Sequence, residues 1–70
     1  MRKYVVLFEK SKDGFSAYVP DLPGCVAFGD TKEETEKLIY EAIIFHIEGL
    51  EKENLPVNPS ITDSEVMVFN

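Results

Sequence analysis

Cys25 is the only cysteine in the chain and His46 the only histidine, so a Cys–His dyad or a metal centre built on the pair is the first chemistry to weigh. A nucleophilic thiolate needs a positively charged surrounding, and its base needs a third group to orient it. No residue neighbouring either one in sequence supplies these. At helical spacing His46 faces Ala42, Ile43, Gly49 and Leu50, so no second ligand shares its side. Both read as packed side chains, with Cys25 acting as a small apolar one. A metal-dependent nuclease would need several carboxylates converging on one or two ions. Glu9, Asp13, Asp30 and Glu65 are instead scattered over strand ends and turns, and Tyr4 to Phe8 carries no carboxylate. Gly14, Gly24, Gly29 and Gly49 form no phosphate-cradling sequence. The expectation is a chain with no catalytic residues, no metal and no cofactor.

The elements that would position these groups are legible. Arg2 to Glu9 is aromatic and β-branched, with Tyr4, Val6 and Phe8 on one face and Val5 and Leu7 on the other, the pattern of a central strand. Lys10 to Gly14 has turn chemistry and Phe15 to Val19 alternates again, which predicts a hairpin. Pro20-Asp21-Leu22-Pro23-Gly24 cannot lie inside a strand, because two prolines remove ladder donors. Asp21 is placed to accept from backbone amides of the turn, and Gly24 to take a positive φ before Cys25 to Phe28 forms a short strand. Thr31 with Glu34 three residues later is a capping box, and it predicts a helix from Lys32 to Glu53. Asn54, Leu55 and Pro56 then predict a Schellman ending. Asn54 to Asp63 reads as a loop, and Glu65 to Phe69 as a last strand beside the first.

On that helix Thr35, Leu38, Ile39, Ala42, His46 and Gly49 should cover the sheet, with Glu34, Lys37, Glu41, Glu48 and Lys52 in water. Tyr40, Ile43, Ile44 and Ile47 make a second apolar stripe. One helix on one sheet cannot bury both, so this stripe is the expected interface of a homodimer, a higher oligomer or another partner.

With 70 residues the chain is one domain, 1–70, near the lower limit for a core that folds unaided. Thirteen acidic against seven basic side chains give a net charge of −6, which disfavours direct nucleic-acid binding and suits a basic protein partner. No apolar run is long enough to span a bilayer, and a lone cysteine suits a reducing, cytoplasmic setting.

The string Val19-Pro20-Asp21-Leu22-Pro23-Gly24-Cys25, after an Asp-Gly hairpin and before Gly29-Asp30-Thr31 and a helix opening with Glu33-Glu34, resembles the HicB-like antitoxin family. The order of the pieces matches from the first strand to the end of the helix. The resemblance implies an α+β, two-layer β-β-β-α-β domain, one helix on a mixed four-stranded sheet, similar to a truncated ribonuclease H fold. It also implies a function: binding and neutralising a small basic HicA-type toxin that cleaves mRNA. Many members carry a further DNA-binding segment, and the expectation here is a stand-alone domain without one. Two other readings stay open: an orphan homo-oligomeric scaffold or ligand-binding protein with no toxin, and a metal-dependent nuclease.

Overall fold

The computed structural model describes residues 2–70. Strands β1 (Leu7–Ser11), β2 (Gly14–Tyr18) and β3 (Val26–Gly29) precede helix α1 (Lys32–Lys52). The β1–β2 hairpin pairs Leu7 with Tyr18 and Ser11 with Gly14, which leaves Lys12 and Asp13 as the turn. In turn β2 pairs antiparallel with β3, from Phe15 opposite Gly29 to Tyr18 opposite Val26.

Three expectations are corrected here. Among the described residues the sheet has three strands in the order β1-β2-β3 and is wholly antiparallel, not mixed and four-stranded. Its first strand is an edge, not central, and pairs only from Leu7 onward. Beyond the Leu7–Tyr18 pair the partner chain turns into the Pro20 corner, so Arg2 to Val6 have no ladder opposite them. Glu65 to Phe69 joins no sheet: Val66 is 91% exposed and Val68 90%.

The helix expectation holds within a residue. Thr31 caps it, its Oγ1 accepting from the Glu34 amide at 3.1 Å. The Glu34 carboxylate reaches back one residue past the cap, accepting from the Asp30 amide at 2.8 Å. At the other end the Leu55 amide donates to the Leu50 carbonyl and the Asn54 amide to Glu51, with Asn54 at φ 58°, which is the expected Schellman geometry.

Ala17, Val19, Leu22, Cys25, Ala27 and Ile39 form the core, flanked by Tyr4, Val6, Phe8, Ala42 and Ile43. Thr35 is fully buried at the helix–sheet contact, and its hydroxyl donates to the Thr31 carbonyl at 2.7 Å. Opposite it lies Gly29, where an added Cβ would stand 2.6 Å from Thr35 Oγ1, so the first turn seats on β3 only because that position lacks a side chain. The helix is rotated relative to the expected faces. Ile43, placed in the second stripe, packs against the core, while Leu38 and Gly49, placed toward the sheet, are exposed.

Candidate partner-binding site

The corner between β2 and β3 is two consecutive four-residue turns. The Leu22 amide donates to the Val19 carbonyl at 3.1 Å and the Cys25 amide to Leu22 at 3.1 Å, so Pro20 and Pro23 each take the second position, where their fixed φ costs nothing. Gly24 follows Pro23 at φ 84°, as a type II turn demands. The corner points Leu22, fully buried, into the core between Val19 and Cys25.

Asp21 does something other than serve its own turn. Its Oδ2 accepts from the Ile61 and Thr62 amides, both at 2.9 Å, and its Oδ1 from the Thr62 hydroxyl at 2.7 Å. These bonds, led by the Thr62 amide and hydroxyl, hold the carboxyl below its ordinary pKa against the opposing effect of burial. Asp21 therefore clamps the segment that follows the helix onto the corner. That segment first crosses the start of the chain, where the Tyr4 hydroxyl donates to the Asn58 carbonyl.

Cys25 and His46 line one cleft of about 410 Å³ between β3 and the second half of α1, with Val26, Ala42, Phe45 and Leu50, and no hydrogen bond joins them among the described residues. Cys25 is 4% exposed, and burial pushes its thiol pKa up, which keeps it protonated and a poor nucleophile. Among the described residues no three His, Cys, Asp or Glu side chains are grouped to hold a metal ion. No helix of these residues is long and apolar enough to cross a membrane.

Of the second stripe, Tyr40 and Ile44 are exposed, while Ile43 and Ile47 are half-buried. Two apolar surfaces escaped the sequence reading. Phe45, 79% exposed, was assigned to no face, although its spacing of seven from Leu38 puts the two on one side of the helix. Tyr18, Val26 and Phe28 are exposed on the sheet face opposite the helix, because this domain has one helix and two sheet faces. Strand alternation marked that face, but not that it would stay uncovered.

A model of the HicB-like antitoxin of bacterial toxin–antitoxin systems matches residues 4–67. The chain belongs to the HicB-like antitoxin family. Over 86% of its length it superposes on a chain of the solved HicA3 and HicB3 toxin–antitoxin complex, with a TM-score of 0.72, 35% identity and 70% of that chain covered. It is 49% identical to a UPF0150 protein of Synechocystis over 55 residues, 77% of this chain and 70% of that one. An uncharacterized 14.9 kDa protein of Haemophilus phage HP1 is 47% identical over 55 residues, 76% of this chain but only 41% of the phage protein. A UPF0150 protein of Thermoplasma acidophilum is 47% identical over 53 residues, 74% of this chain and 77% of that one. Membership in this HicB-like family gives the chain an antitoxin role, a regulatory and non-enzymatic one.

Proposed function

We propose that the chain neutralises a small basic HicA-type toxin, an mRNA-cleaving ribonuclease, by covering it in the cytoplasm. The observation that carries this reading is the fold match to a chain of the HicA3–HicB3 complex at 35% identity. Charge supports it, since a surface of net −6 steers a basic protein toward itself. Exposed apolar side chains support it too, because a partner's contact needs such area at its centre. In this reading Pro20, Asp21, Leu22, Pro23, Gly24 and Cys25 are the frame that fixes the edges of the binding domain. Tyr40, Ile43, Ile44 and Ile47 are an interface with a second copy or with a partner.

The test is reconstitution with a HicA-type toxin encoded in the same genome. Co-expression restores growth, the two chains purify together, and RNA cleavage stops once the antitoxin equals the toxin in concentration. Raising salt from about 50 to 300 mM slows association several-fold. Cleavage that continues in excess antitoxin overturns the proposal and leaves the orphan homo-oligomer as the better reading.

A further inference from the structure

Helix α1 packs over β2 and β3. That offset leaves the helix-facing side of β1 only partly covered, and a groove of about 150 Å³ runs beside it, lined by Val6, Phe8, Ile39, Tyr40, Ile43 and Glu36. Among the described residues no strand neighbours the outer edge of β1, so its backbone donors and acceptors are open to one. A strand laid there would extend the sheet and set every second side chain into the groove, against Tyr40 and Ile43.

The chain itself carries such a strand, unused. Val66, Met67, Val68 and Phe69 are 91%, 68%, 90% and 84% exposed. Both alternations, Val66 with Val68 and Met67 with Phe69, are apolar, so one suits the groove and the other continues the open sheet face beside Leu7 and Tyr18. In the single chain the residues just before this segment are held by the Asp21 clamp at the corner between β2 and β3, and the segment itself pairs with no strand among the described residues. The molecule is accordingly drawn out to 47 Å, with a radius of gyration of 13.5 Å, where a compact chain of this length has about 11 Å. Its accessible surface is 5831 Å², against about 4,400 Å² for a folded monomer of 7.9 kDa. The surplus of about 1,400 Å² exceeds the roughly 800 Å² that each partner contributes to a stable interface.

We propose that Glu65–Phe69 of one copy adds as the fourth strand to the free edge of β1 in a second copy, and that the exchange is reciprocal. A twofold dimer follows, since each copy offers one strand and one groove. Main-chain bonds supply the ladder and the alternate side chains the fit. The second copy is the occupant because strand and groove are complementary parts of one chain that do not meet within it.

Sedimentation equilibrium and isotope-filtered NMR on the full chain test this. The wild type is dimeric at about 100 µM, and nuclear Overhauser contacts run from Val66 and Val68 methyls of a labelled copy to β1 of an unlabelled one. The double variant Val66→Asp, Val68→Asp is monomeric with unchanged helical circular dichroism, because neither side chain supports the single-chain fold. A monomeric wild type, a dimer that survives the double variant, or contacts to β1 only within one copy would each overturn the proposal.

Discussion

Asp21 shows how a residue singled out for its turn chemistry takes on a longer-range task. Its carboxylate accepts three bonds from Ile61 and Thr62, and its folded pKa is lowered by them. A carboxyl depressed on folding stabilises the folded state above its ordinary value of about 3.9, and that contribution is lost as pH falls through the lower folded value. The expected result is that Ile61 and Thr62 amides lose exchange protection in this acid window. In Asp21→Asn they lose it already at neutral pH, with the helix signal intact. Equal protection of the Thr62 amide in the two proteins would remove the clamp from the account. Gly24 offers a cleaner backbone test, since nothing lies within 4 Å of where its Cβ would be. Gly24→Ala therefore reports the cost of a positive φ alone, about 1 to 2 kcal/mol in urea unfolding.

At the scale of elements, both ends of the helix are specified locally, and its rotation about its own axis is not. Thr31→Ala removes the oxygen that satisfies the Glu34 amide, and thermal or urea unfolding should show a loss of about 1 kcal/mol. Thr31→Ser should restore most of it. The rotation is set by Thr35 seating against Gly29 and by Ile39 entering the core, which carries Ile43 inward and turns Leu38 out. Helical periodicity left this undetermined, because apolar residues occupy more than half of the circumference and several rotations bury similar area. A short β1 has a similar origin: alternation marked Arg2 to Val6 as strand, but pairing needs a partner, and the Pro20 corner withdraws it.

At the scale of the whole molecule, charge separates the two associations proposed here. Two copies of net −6 repel, so rising salt should tighten the dimer in sedimentation equilibrium, whereas it slows association with a basic toxin. Opposite slopes are expected from one protein in one buffer series, and parallel slopes would contradict one of the two interfaces. Because the carboxylates do not converge, the purified chain with magnesium or manganese should leave RNA, DNA and their hybrid uncut in a gel assay. Cleavage that disappears in Asp30→Asn or Glu9→Gln would reverse that conclusion.

The sequence by itself determined what depends on near neighbours. Caps need a hydroxyl and a carboxylate three residues apart, hairpins need a turn that permits their φ values, and the double turn at Pro20 to Cys25 needs its prolines and Gly24 where they stand. The string around that corner also carried the family. Tertiary structure alone decided where the long-range partners lie. Asp21 stands 40 positions before Ile61, and no local pattern links them. The fate of Glu65–Phe69 was likewise hidden, because alternation states that a segment can pair but not with which edge, or in which copy. Which apolar faces remain open followed from the number of layers available to cover them, and that number is a property of the assembled domain.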